Sequence, residues 1–168
     1  MRKRGILLVN LGSPDAPSVP GVRKYLRQFL MDPRVIDVPY PLRLAIVYGG
    51  ILPFRPRSSA EAYARIWTEQ GSPLVAASAS LQRRLRDRIG LPVELGMRYQ
   101  NPTIESALAR LIAAGVDDAL VAPLFPHHAR SSYESAVERV KQVAAHVARQ
   151  DRDVRARSRR HAVPRRNR

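Results

Sequence analysis

Four short stretches carry the residues best equipped for chemistry. "PLFPHHARSS" (123–132) places two adjacent imidazoles, His127 and His128, just after an apolar run. Imidazole ligates borderline metals, so the pair could supply one or two ligands to a metal site. A ligand set usually needs a third group, and the remaining histidines, His146 and His161, lie far off in sequence. That weighs toward a structural or supporting role over direct ligation. "GMRYQNP" (96–102) joins Arg98 to Tyr99, a guanidinium that can fork onto a carboxylate beside a flat ring that can line an apolar wall. From position alone, a solvated surface arginine is the competing reading. "LPFRPRSSAEAY" (52–63) sets Arg55 and Arg57 among prolines, in a segment that reads as a lid or as a plain connection.

The fourth stretch, "NLGSPDAPSVPG" (10–21), is informative through what it is not. Its glycines are far apart, so no GxGxxG or GxxxxGK[ST] phosphate cradle follows the first apolar run. Neither HExxH nor GxSxG occurs, which removes the common zinc-protease and hydrolase-elbow readings. Zero cysteines exclude disulfides, thiolate metal sites and a cysteine nucleophile within this chain.

The elements that must position these residues follow from periodicity. "GILLVN" (5–10), "VELGMRY" (93–99) and "DALVAPLF" (118–125) are short apolar runs bounded by turn formers, the pattern of buried parallel strands. Between them, Ser72 as cap, Pro73 at the first position and Gly90 as stop predict a helix with apolar residues at 74, 81, 85 and 89. Asn101 and Pro102 predict a second helix start, with Ile104, Leu108, Leu111 and Ile112 on one face and Gly115 closing it. A third helix is expected from Tyr133 to Val147, capped by Ser131 or Ser132. Trp67 fits a helix face with Tyr63 and reads as core. Strand and helix alternating through short connections predict an α/β fold, a doubly wound parallel sheet flanked by helices. Ligands in such folds bind beyond the carboxyl ends of the strands. Those ends are Asn10-Leu11-Gly12-Ser13, Arg98-Tyr99-Gln100 and Phe125-Pro126-His127-His128.

The 168 residues suit one domain or half of something larger. Apolar and charged contents of 45% and 26% are those of a globular protein, and no run is long enough to span a bilayer. The basic start and short apolar run of "MRKRGILLVN" lack a cleavage site, so no signal peptide is expected. A net charge of +15 points toward polyanions, but residues 151–168 hold eight arginines against two aspartates. Without that stretch the chain is moderately basic, and no nucleic-acid motif or aromatic interleaving supports a nucleic-acid partner. Residues 1–150 are therefore expected to form the α/β domain. The stretch 151–168, free of apolar periodicity, is expected to be a disordered arginine-rich tail, either a frameshift product or a natural extension.

Taken together, "GILLVNLGSPDAPSVPGVRKYLRQFLMDPRVIDVP", "ILPFRPRSSAEAYARIWTEQGSPL", "GMRYQNPTIESAL" and "PLFPHHARSSYESAV" resemble the amino-terminal half of ferrochelatases, across nearly all of 5–148. The resemblance implies the first of two similar doubly wound domains enclosing a porphyrin cleft, in lyases that insert ferrous iron into protoporphyrin IX to form protohaem. It implies that Asn10, Leu11, Arg98, Tyr99, Phe125 and Pro126 line the cleft. It also implies that residues from about 29 to 57, Arg55 included, form a lip over it, whose apolar faces touch a membrane surface in some members. His127 falls where the family has a polar residue and His128 where it commonly has tyrosine, so neither matches the family's catalytic histidine. That histidine and its acidic counterpart belong to the second half, which implies a truncated chain inactive by itself, in a cytoplasmic pathway. Ferrous iron enters as substrate. The iron-sulfur cluster of some relatives has no cysteine here to hold it. A porphyrin-binding or partner-binding module without catalysis is the alternative.

Overall fold

Strand β1 (Arg4–Gly12) is the centre of the sheet, because its run Leu7-Leu8-Val9 is apolar on both faces and can pack on both sides at once. The structure, a computed structural model, describes residues 2–147. The expected tail at 151–168 lies outside the described residues. Helix α1 (Val19–Leu30) follows β1, then a short α2 (Tyr40–Leu44) that runs into a π-helical turn at Ala45–Ile51. Next come α3 (Arg55–Ile66), α4 (Pro73–Ile89), β2 (Val93–Tyr99), α5 (Ile104–Ala113) and β3 (Asp118–Pro123). A π-helical turn at Arg130–Glu134 leads into α6, described over residues 135–147.

The three strands are parallel in the order β2-β1-β3, with Leu8 opposite Leu95 and Ala122, and Gly12 opposite Tyr99. Helices cover both faces, which makes the sheet doubly wound as the alternation of elements predicts. Leu7 and Val9 pack with Ile104, Ala107 and Leu111 of α5 and with Ala136, Val140 and Val143 of α6. Leu8, Val93, Leu95 and Met97 pack on the other side against Val75, Ala79 and Leu85 of α4. At the end of β1 the chain turns away through Gly12, at φ +99°, where a Cβ would lie 2.0 Å from the Tyr99 carbonyl oxygen. Only glycine lets the two strand ends approach so closely.

Several local expectations are corrected. The cap of α5 is Thr103, whose Oγ1 accepts from Ser106 N at 3.1 Å. Asn101 is unavailable for that task because its side-chain amide donates to Asp15 at 3.0 and 3.1 Å. Neither Ser131 nor Ser132 caps α6, since the chain enters it through the π-helical turn, where Ala129 O accepts from both Ser132 N and Glu134 N. β3 ends at Pro123, two residues short of the expected Phe125. Trp67 stands just past α3 in an extended conformation rather than on its face. The buried side of α4 is rotated from the expected one: Leu85 packs inward beside Val75, Ser78 and Ala79, whereas Leu74, Leu81 and Ile89 stay exposed. Small side chains let the helix lie close to the sheet, and the larger ones are left at its margin.

Candidate functional site

The carboxyl end of β2 meets the start of α6 and the segment after α1, and a single carboxylate ties them together. Asp32 follows α1, where Met31 closes the helix. Its side chain is 2% exposed. Oδ2 accepts from Arg98 Nη2 at 2.5 Å, from Ser135 Oγ at 2.5 Å and from Tyr99 OH at 2.9 Å. Oδ1 accepts from the Arg34 amide at 2.8 Å. Arg98 Nε in turn donates to Ser135 Oγ at 2.7 Å, closing a ring, and the guanidinium carbon sits 4.6 Å from the centre of the Tyr99 ring. A buried carboxylate is tolerated only when paired and hydrogen-bonded, and both conditions hold. Burial alone would raise its pKa. The hydrogen bonds from Ser135, the Arg34 amide and Tyr99, together with the Arg98 charge, outweigh that and hold Asp32 below the ordinary carboxylate value. Burial pushes the Tyr99 phenol up to about 12, so it remains a donor across the neutral range.

Beside this ring lies a polar cleft of about 480 Å³, lined by Lys24, Gln28, Arg98, Gln100, Glu105 and Arg139 among others. On the other side of α1 runs an apolar groove of about 560 Å³, walled by Leu26, Phe29, Leu30, Ile51 and Phe54, with Arg55 at its rim. The two are joined by an aromatic cluster. Phe29 meets Tyr99 edge to face at 5.5 Å and stacks on Tyr25 at 6.0 Å, and Tyr25 meets Tyr63 of α3 at 6.3 Å. Such pairs fix relative orientation beyond what apolar burial supplies. The arrangement can hold a flat apolar body in the groove and anionic arms at guanidinium groups.

The residues singled out from sequence separate into four places. Arg98 and Tyr99 line the polar cleft, Arg98 with 19% of its side chain exposed and Tyr99 buried at 2%. Arg55 lines the apolar groove from the first turn of α3. Asn10 is 8% exposed and turned to α4, its amide donating to Ser78 Oγ at 3.0 Å while its own Oδ1 accepts from Leu11 N at 2.8 Å. Leu11 is half-buried beside it. Phe125 packs against the core formed by α5 and α6, and Pro126, His127 and His128 are exposed in the connection beyond β3. The His128 ring lies 4.6 Å from that of Tyr133. Among the described residues no three His, Cys, Asp or Glu side chains are grouped so as to hold a metal ion. Asp32, Ser135 and Phe29 were not singled out from sequence, since Asp32 and Ser135 lie 66 and 37 residues from Arg98. The one available signal was the run "FLMDP", an acidic residue directly after an apolar helix end.

A model of the Ferrochelatase family matches residues 3–161. Among curated proteins, the chain is 52% identical over 141 residues to Ferrochelatase of Coxiella burnetii (strain RSA 493 / Nine Mile phase I), covering 83% of this chain and 40% of that protein. It is 48% identical over 151 residues to Ferrochelatase of Opitutus terrae, covering 88% and 44%. With Ferrochelatase of Azotobacter vinelandii the figures are 51% over 144 residues, covering 85% and 42%. The chain thus spans about two fifths of the length of these relatives.

Proposed function

The chain belongs to the ferrochelatase family, and on that premise we propose that it forms the amino-terminal, porphyrin-holding wall of a lyase that inserts ferrous iron into protoporphyrin IX to give protohaem. The observation that carries this reading is the apolar groove of α1, the π-helical turn and α3, with Arg55 at its rim and Arg98 joined to it through Phe29 and Tyr99. A macrocycle with carboxylate arms asks for those features: apolar and aromatic walls, and guanidinium groups at the periphery. Asn10 and Leu11 support the wall at the end of β1, and Phe125 and Pro126 in the connection just beyond β3. His127 and His128 serve as supporting groups at the same edge, not as metal ligands.

Insertion releases two pyrrole protons and strips water from the incoming iron, which calls for a base that titrates near neutrality and for metal ligands. The described residues offer walls and guanidinium groups to that reaction and no clustered ligand set for the iron. The chain alone is therefore expected to bind porphyrin without metallating it. Titrating protoporphyrin fluorescence with the 168-residue protein should show saturable binding that Arg55→Ala and Arg98→Ala weaken; no saturable binding sinks the reading. Anaerobic incubation with ferrous iron should yield no haem above the uncatalysed rate, and a sustained yield overturns the division of labour.

The reading extends to where the protein works. The lip exposes Tyr40, Leu42, Leu44, Tyr48 and Phe54, the last 75% exposed, in a stretch of sequence that also holds Arg34, Arg55 and Arg57. Aromatic and aliphatic side chains among arginines suit a peripheral hold on an anionic membrane surface. No helix among the described residues is long and apolar enough to cross a membrane. We place the protein in the cytoplasm, touching the membrane through this lip, with porphyrin and iron rather than nucleic acid as its partners.

A further inference from the structure

The ring around Asp32 does more than bury a charge. We propose that Asp32, with Ser135, is a positioning residue that locks the Arg98 guanidinium so that its Nη1 end is presented to a carboxylate in the polar cleft; this rests on the porphyrin reading above. Two of the three guanidinium nitrogens are spoken for, Nη2 by Asp32 and Nε by Ser135. Nη1 hydrogen-bonds to none of the described residues, and the Arg98 side chain, 19% exposed, lines the cleft. The guanidinium carbon lies 4.6 Å from the centre of the Tyr99 ring, within cation–π reach, which adds a third contact to the two hydrogen bonds. The other cations lining the cleft, Lys24 and Arg139, are each paired to a carboxylate, Asp15 and Glu105.

Neutralising Arg98 with Asp32 lowers its long-range pull on an anion. What it gains is a fixed donor: an arginine already held in one geometry loses little freedom on binding, so its remaining N–H groups act at small entropic cost. The site then discriminates by direction rather than by net charge. Tyr99 and Ser135 also donate to Asp32, so its charge is satisfied whether or not the cleft is occupied. The three elements that meet on this carboxylate are β2, α6 and the segment after α1, which ties the position of Arg98 to the place where the lip begins.

The test uses the full chain with Asp32→Asn, which keeps shape and one acceptor oxygen, Arg98→Lys, and the double variant, each checked for native circular dichroism. Proton-nitrogen correlation spectra of the arginine Nε–H groups, with Arg98 assigned by its loss in Arg98→Lys, read the lock directly. Hydrogen exchange at Arg98 Nε, whose acceptor Ser135 Oγ is itself held by Asp32, should quicken about tenfold in Asp32→Asn. Binding is read with mesoporphyrin IX, a dicarboxylate, and with etioporphyrin, which has no carboxylates, in the same micelles. Asp32→Asn should weaken the dicarboxylate about tenfold, leave etioporphyrin unchanged, and add nothing to Arg98→Lys in the double variant. Unchanged exchange at Arg98, or equal weakening of both porphyrins, overturns the proposal. If Asp32→Asn frees Arg98 but Arg98→Lys leaves mesoporphyrin affinity intact, the lock stands and the porphyrin reading falls.

Discussion

At the scale of the residue, Asp32 ties stability to a single buried carboxylate. Removing it leaves Arg98 largely buried without a counter-charge and strands two hydroxyl donors. Asp32→Ala is expected to cost about 3 kcal/mol, the low end for a broken buried pair because Arg98 keeps some access to water. Because its folded pKa lies below the ordinary value of 3.8, the contribution is full above that value and is lost as pH falls through the lower folded one. Urea midpoints of the wild type and Asp32→Asn, compared from pH 7 to pH 3, should therefore differ most at neutrality and converge in acid. A constant difference across that range would show that the carboxylate's charge is not what stabilises the ring.

At the scale of the element, the helices differ in how firmly they are seated. α5 lies against the sheet so closely that a Cβ at Gly96 would come within 2.9 Å of the Ile104 Cα, and its Leu111 is fully buried among Leu7, Val9 and α6. α4 touches the other face through smaller groups and leaves Leu81 at the margin, 42% exposed. Leu111→Ala should cost about 3 kcal/mol, through lost burial and the cavity left behind. Leu81→Ala should cost less than about 1 kcal/mol. Chemical denaturation of the two variants checks the contrast, and equal losses would mean that α4 is anchored by its large residues after all.

At the scale of the whole molecule, the sheet is narrow, and among the described residues β2 and β3 are both edge strands. Among the described residues the outer edge of β3 has no strand partner, and Leu120 on it is 65% exposed. An apolar strand edge invites pairing with another chain, and the charged residues nearby only partly guard it. The protein is expected to self-associate as its concentration rises, and Leu120→Lys to suppress this. Sedimentation velocity across a concentration series decides the matter; association undiminished by the lysine would place the contact elsewhere, with the lip as the next surface to alter.

The sequence by itself determined the strands, their order of appearance and the parallel α/β class, because apolar runs bounded by turn formers and the Ser72-Pro73 and Gly90 signals are local features. It also placed Arg98 and Tyr99 at a strand end, and the four blocks carried the family. Only the tertiary structure decided which side of α4 is buried, since small and large apolar residues share similar spacings and the fit against the sheet chooses between them. It alone brought Asp32 and Ser135 to Arg98, for a hydrogen-bonded ring closed over such separations leaves no periodic trace. It also parted residues that the sequence had grouped by their place at strand ends: Asn10 turns to Ser78, Tyr99 is buried, and the two histidines stand in the open beyond β3. A strand end fixes where the backbone arrives, while the direction of each side chain depends on neighbours that only the folded chain supplies.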